Sequence, residues 1–438
     1  MRHCIALRER AHAAYLKAGD VRRAAYVAVE LADHHADLME PTVASAWIQK
    51  AGRMLEDEAE GPEHGWLKLI EGIMAGGEND LEKARRGAEE AAVIAARHGD
   101  RDLFALSLAG QGMTLTQLGD TEHGLQMVEE ATVGAVAGEL GPRVTGWIYC
   151  MMISVNAHLA DWQRAGQWTE AAVSWCDRQA INGFPGVCRV HRAEIMRLRG
   201  ELAEAEEEAR TATIELGSFN VMFAAQAFRE LGEVRLKMGE LDAAEEAFRQ
   251  ASEMGVTPQP GLALALVQRG KPSAAASSLR RALADRSLGP LDRGKLLPAQ
   301  LEVALLLGDV DTARSAAEEL AAIADSHASP ALRATAEAAA AAIGLEDGRR
   351  SPTALAPATQ AAQEARRLYE SIDLSHEAAR VSLLLGQIYQ AQGADELALL
   401  EVRAALSTFE NIGAVPDADR ARRLLAEVQD AANVVEPR

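Results

Sequence analysis

The stretch from Phe228 to Ala251 restricts the rest of the chain most. It places Phe228, Leu231 and Gly232 before a Gly239-Glu240 turn, and Ala244, Ala247, Phe248 and Ala251 after it. This is the pattern of two short amphipathic helices folded back on each other. Small residues at Gly232, Ala244 and Ala251 let the two helices approach closely, while Phe228, Leu231 and Phe248 fill the space between them. A glycine takes the left-handed conformation that ends the first helix. The acid that follows sits at the start of the next, where it caps free amides and favours the positive end of the helix dipole.

The same turn recurs at Gly19-Asp20, Gly77-Glu78, Gly119-Asp120, Ala160-Asp161, Gly200-Glu201, Gly308-Asp309 and Gly393-Ala394-Asp395. Between residues 119 and 239 the spacing is about 40, longer than the roughly 34 of a tetratricopeptide (TPR) repeat, whose offsets the pattern otherwise follows. Each pair therefore carries longer helices or a longer connection. The terminal segment repeats the pattern with Leu385-Gly386, Tyr389, Gly393, Ala398, Val402 and Ala405. No strand hairpin is credible. The expected fold is all-α: an α-solenoid of TPR-like helix pairs forming a right-handed superhelix with a concave groove.

Breaks between pairs are expected at the acidic loop 56–62, at Gly138 to Pro142, at Asn182-Gly183-Phe184-Pro185-Gly186, at Gly255 to Gly261, at 285–294 and at a looser link over 345–357. That link divides the chain into an array over 1–344 and a C-terminal set of repeats with a terminal helix over 345–438.

Composition narrows the function. Hydrophobic residues make up 48% of the 438 residues, enough for a large core. The formal net charge is −20, so the surface repels phosphate backbones and direct nucleic-acid binding is not expected. Cys4, Cys150, Cys176 and Cys188 form no Cys-x-x-Cys pair and read as reduced thiols. No apolar run is long enough to span a membrane, and charges interrupt what would be the apolar part of a signal peptide. A cytoplasmic location is expected.

No phosphate loop, dinucleotide-binding glycine motif, His-Glu-x-x-His or Gly-x-Ser-x-Gly is present. His34 and His35, beside Asp33 and Asp37, point about 100° apart on a helix. They read as surface or capping residues, so no metal and no cofactor is expected. Trp168 and Trp175, seven apart, share a helix face and read as core or as an aromatic wall. Counting back from each turn to the first helix of each pair, which lines the concave face of a TPR array, gives a candidate ligand-binding set. It comprises Trp147, Cys150, Ser154 and His158, then Glu194 and Arg197, then Arg229, Glu233 and Lys237. No catalytic residue is assigned. An enzyme built in the groove would draw on Glu194, Glu233, His158 or His191 for acid–base work.

Four stretches resemble the helical-repeat sensor region of large bacterial LuxR-type, maltose-regulator-like transcription regulators. They are Gly200-Glu201-Leu202-Ala203-Glu204-Ala205-Glu206, Phe184-Pro185-Gly186-Val187-Cys188-Arg189-Val190-His191-Arg192, Pro258-Gln259-Pro260-Gly261-Leu262-Ala263-Leu264 and Asn411-Ile412-Gly413-Ala414-Val415-Pro416-Asp417-Ala418. Members of that class carry an ATP-binding domain before the repeats and a helix-turn-helix after them. This chain has neither, so the resemblance implies a sensor role without ATP hydrolysis or DNA binding, in a fragment or a stand-alone module. The expected function is a non-enzymatic sensor or scaffold. Its groove would bind a peptide, a partner protein or a small-molecule effector, in a regulatory, transcription-related setting, with homodimerisation left open.

Overall fold

The structure, a computed structural model, describes residues 1–77, 79–180, 184–217, 220–327 and 329–435, the side chains of 184–186 and 431–435 excepted. Among the described residues the chain forms 22 α-helices, one short 3-10 helix at Pro352–Ala354 and no strand. Successive helices pack antiparallel into an α-solenoid of TPR-like pairs.

The pair Val221–Met238 and Leu241–Glu253 shows how the sequence makes each hairpin. Asn220 caps the first helix, its side chain accepting from the Phe223 amide at 3.0 Å. Gly239 ends it at φ 83°. A Cβ on Gly232 would run into the Phe248 ring, so no larger residue fits that crossing. Gly386 lies equally close to Val402, where a Cβ would meet Cγ2 at 2.5 Å. These are the small-residue positions expected from the repeat.

The capping rule holds at three of the aspartate turns, not at Asp120, and at neither described glutamate turn. Asp20, Asp161 and Asp309 each accept an amide three residues on, all at 3.1 Å. Glu201 and Glu240 occupy the same position without a side-chain cap. The extra methylene carries the glutamate carboxylate past the amides. At the second turn the left-handed residue is Asn79 at φ 61°, not Gly77, which ends the preceding helix.

Three expected breaks are shorter than the sequence suggests. Asn182 and Gly183 lie outside the described residues, but Phe184 already begins the helix Phe184–Arg199. The helix after 285 starts at Pro290, not Leu296, and runs to Leu306 with Pro298 inside it. The link at 345–357 is a hairpin corner. Pro330–Gly348 extends four residues beyond Gly344, and Leu355–Ser371 follows the 3-10 turn. A Cβ on Gly344 would lie 2.7 Å from the Ala358 Cβ, so these two helices touch backbone to backbone.

The solenoid coils back on itself. The Asn220 side chain donates to Asp37 at 3.1 Å across 183 residues, and Ser375 Oγ donates to the Arg199 carbonyl at 2.6 Å across 176. Ser329 bonds the Leu159 carbonyl across 170 residues. At Leu159 and Arg199, hairpin corners of the first superhelical turn rest on pair junctions of the second. The core follows this geometry. One apolar cluster joins Val128, Met152 and Leu159 to Leu291, Leu320 and Ile343. Another joins Trp162, Ala165 and Ile195 to Ala362, Leu374 and Leu385. A third joins Leu202 and Val234 to Leu383, Val402 and Phe409. Clusters among the first helices, such as Ala28, Leu55 and Ile70, stay between sequence neighbours.

Candidate functional site

Where the second turn closes over the first, a cavity of about 550 Å³ remains on the concave side. Its walls come from the helices Pro142–His158, Phe184–Arg199 and Val221–Met238 on one side and Pro290–Leu306 and Ser375–Ala391 on the other. Six of the nine residues chosen by repeat phasing line it: His158, Glu194, Arg197, Arg229, Glu233 and Lys237.

The other three do not. Trp147 faces a separate cavity nearer the N-terminus. Cys150 packs against the apolar cluster of Val187, Val190 and Leu216, where burial pushes its thiol up to about 12. Ser154 lines neither cavity, and its carbonyl lies 2.8 Å from His158 Nδ1. On the same helix Tyr149 packs with Trp168 and Trp175, ring centroids 6.2 and 5.9 Å away, so that face of Pro142–His158 is core.

The groove is mixed in charge. Arg197 and Glu230 form a pair whose side chains are 12% and 3% exposed. Lys237 Nζ lies 2.9 Å from His376 Nδ1, and His376 Nε2 lies 2.9 Å from Asp417 Oδ2. The same Nδ1 lies 3.0 Å from Glu377 Oε1. Arg380 joins Glu302 at 2.7 Å, and Arg420 reaches the same carboxylate at 3.4 Å. The Lys237 contacts cross the seam between superhelical turns, while Arg380 and Arg420 fasten Glu302 within the second turn.

Other groups in the groove are not paired in this way. Burial alone would raise Glu194, but Lys295, Arg197 and Arg229 outweigh it and hold its carboxyl below the usual range. Lys295 also lowers His158 to about 4, with burial second. Among the described residues, Arg229 Nε is buried in the groove lining without a hydrogen-bond partner. Buried polar groups are normally satisfied, so it marks where a bound molecule would complete the site. His191, also unpartnered at both ring nitrogens, lies outside the lining with its ring against Phe223.

The sequence did not point to Glu230, Lys295, His376, Glu377, Arg380 or Asp417. Most of them arrive from the second superhelical turn, and no local spacing reports which later repeat folds over which earlier one.

His34 and His35 are buried, contrary to the surface reading. The ligand atoms of Asp33, His34 and Asp37 lie within 4.8 Å of one another. Arg143 already bonds Asp33, and Asn220 holds Asp37, so the two carboxylates have partners of their own.

This geometry defines a class, the TPR-like helical-repeat solenoid. No protein-family model and no curated protein matches the sequence. Among solved structures, NprR in complex with its cognate peptide NprX is 13% identical, with 79% of this chain and 96% of that chain covered at a TM-score of 0.51. The Rap conjugation gene regulator of plasmid pLS20, in complex with the Phr* peptide, is 14% identical over 82% of this chain and 99% of that one, at 0.49. A Rap protein complexed with competence and sporulation factor is 13% identical over 89% and 99%, at 0.48. At such identities the likeness is one of fold. No helix among the described residues is long and apolar enough to cross a membrane.

Proposed function

We propose that the protein is a non-enzymatic regulatory module whose concave groove binds a short peptide, or an extended segment of a partner protein, through a carboxylate and neighbouring backbone groups. The observation that carries this is the unsatisfied Arg229 Nε, on the same wall as Glu194, with Lys295 on the opposite wall and both cations acting on that carboxylate. A peptide brings donors and acceptors in alternation, and its carboxylate would pair with the two cations. NprR, similar in fold, was solved with its cognate peptide, which is the kind of occupant the groove suits. Binding would bias the fit of the two superhelical turns, because the seam runs through the groove. The net charge of −20 favours acting through a DNA-binding partner rather than on DNA, in keeping with a transcription-related sensor.

The test is selection from a displayed peptide library, followed by calorimetry on the enriched peptides. Selected peptides should carry an acidic side chain or a free C-terminus and should bind at least tenfold more weakly to an Arg229→Met, Lys295→Met double variant. No enrichment, or affinities unchanged by the double variant, would sink this reading.

A further inference from the structure

A second cavity, of about 500 Å³, lies in the bowl made by the first superhelical turn. The helices Val21–Asp37, Pro62–Gly77, Leu81–His98, Arg101–Gln117 and Pro142–His158 enclose it. Its volume is that of a site for a small organic ligand. The walls are apolar and aromatic: Trp66, Ile73, Leu106, Met113, Trp147 and Met151. Ile73 remains 44% exposed there, so the surface has no cover from the chain itself.

Glycines keep the space open, although the fold does not demand them at every position. A Cβ on Gly110 would make only ordinary contacts, 3.7 Å to Ala88 Cβ and 3.9 Å to Leu69 Cδ1. A Cβ on Gly76 would meet Ala84 Cβ at 3.6 Å. Both lie inside helices, where glycine costs about 1 kcal/mol relative to alanine. Packing gives no return for that cost at these positions. Gly72, on the same wall, is different: a Cβ there would press on the Ala84 carbonyl at 3.0 Å.

One end of the cavity is polar and acidic. Glu30, Asp33 and Asp102 line it with a single guanidinium, that of Arg143. Arg143 donates to Glu30 at 2.8 Å and also to Asp33. Behind this lining, Arg8 donates to Glu30 at 3.0 Å, and Asp100 accepts from Trp66 Nε1 at 2.9 Å. Four carboxylates thus face two guanidiniums; burial pushes the Asp33 carboxyl upward, which leaves Glu30, Asp100 and Asp102 as the anionic side of that balance. The Tyr26 hydroxyl lines the same end with no hydrogen-bond partner among the described residues. Burial, then Glu30, pushes its pKa up to about 12, so it stays a neutral donor or acceptor. The Tyr26 and Trp66 rings meet edge to face at 5.8 Å and 77°, offering aromatic faces to a cation.

We infer that this cavity binds a small amphipathic cation, with an apolar body against the tryptophans and methionines and one protonated amine among Tyr26, Glu30 and Asp102. The site is separate from the charged groove and does not depend on the function proposed for it.

The test uses three matched probes below their aggregation concentrations at pH 7: decylamine, decanol and decanoate. Each is titrated into the full chain by calorimetry. Decylamine should bind saturably, one per chain, at least tenfold more tightly than decanoate, with decanol between them. Gly110→Leu, which puts a side chain into the open volume, should weaken decylamine at least tenfold. Met151→Trp fills the cavity from the opposite wall and gives the same readout should Gly110→Leu lower the helical signal or the melting midpoint. Glu30→Gln with Asp102→Asn should erase the preference for decylamine over decanoate while leaving decanol unchanged. Decanoate binding as tightly as decylamine, saturable binding that neither filling variant weakens, or no saturable binding of any probe would each overturn the proposal.

Discussion

The two cavities were made by the same repeat, yet one is mostly apolar and the other charged and spanned by ion pairs. The difference lies in what covers the concave face. In the first five or six helices the apolar clusters join only sequence neighbours, so the inner face of the bowl keeps uncovered side chains such as Ile73. From about Val128 onwards a second superhelical turn supplies partners, and apolar side chains from both turns merge into shared clusters. What remains inside is the polar remainder, organised as pairs such as Arg197–Glu230 and Arg380–Glu302. A helical repeat thus does not set the chemistry of its groove; the superhelical closure does.

The largest effect should separate the two polar ends. Glu230→Ala strands Arg197 in a buried site and should cost about 3–5 kcal/mol in denaturant unfolding. Asp33→Ala leaves Arg143 with Glu30 and with a side chain 40% exposed, so it should cost only about 1 kcal/mol. Equal costs would break the contrast between a groove spanned by buried ion pairs and a bowl whose guanidinium is part-exposed.

The two regions should also answer pH with opposite signs. Burial alone would raise Asp417, but the His376 hydrogen bond and Arg380 hold it down to about 2. A carboxylate depressed in the fold stabilises it above its unfolded value near 4 and loses that contribution as pH falls through 4 towards 2. Asp37, beside the bowl, is pushed the other way, to about 7, by burial and then by Asp33. Its ionisation is disfavoured in the fold, so stability declines as pH rises from about 4 through 7. Asp37→Asn, which keeps an acceptor for Asn220, should therefore raise stability at pH 8 by ~1–2 kcal/mol and change little at pH 4. A gain of the same size at both values would show that Asp37 does not titrate in this way.

The smallest effect concerns the hairpin corners. Gly19, at φ 75°, has no atom within 4 Å of where a Cβ would stand, so Gly19→Ala should cost about 1 kcal/mol, from backbone strain alone. Gly200, at φ 92°, would place a Cβ 2.8 Å from Ile412 of the overlying turn. Gly200→Ala should lower the melting midpoint further than Gly19→Ala by a measurable margin, and parity would argue against tight stacking at that corner.

Much of the fold was legible in the sequence because its signals are local. Glycine before an acid ends one helix and starts the next, and small residues at Gly232 and Gly386 mark where helices cross. Two local rules still misled: Asn79 took the turn assigned to Gly77, and prolines at 185, 290 and 352 opened helices or turns rather than long breaks. The groove was legible by halves. Phasing put Trp147 on the other cavity and Cys150 in an apolar cluster. It reached His158, Glu194, Arg197, Arg229, Glu233 and Lys237 on the groove. Their partners Lys295, His376 and Asp417 depend on superhelical pitch, which accumulates from small angles in many repeats. The bowl left a fainter mark, helical glycines at 72, 76 and 110 that no turn explains.

The shared clusters have a consequence for synthesis. Residues 128–234 expose apolar surface whose partners lie between 291 and 428, on chain made much later. At the 5–20 residues per second of translation, a lag of ~170 residues leaves that surface uncovered for roughly 10–30 s. The N-terminal helices meet their neighbours almost as they emerge. The middle of the chain is therefore the part that most needs protection at birth, and the last repeats are its built-in cover.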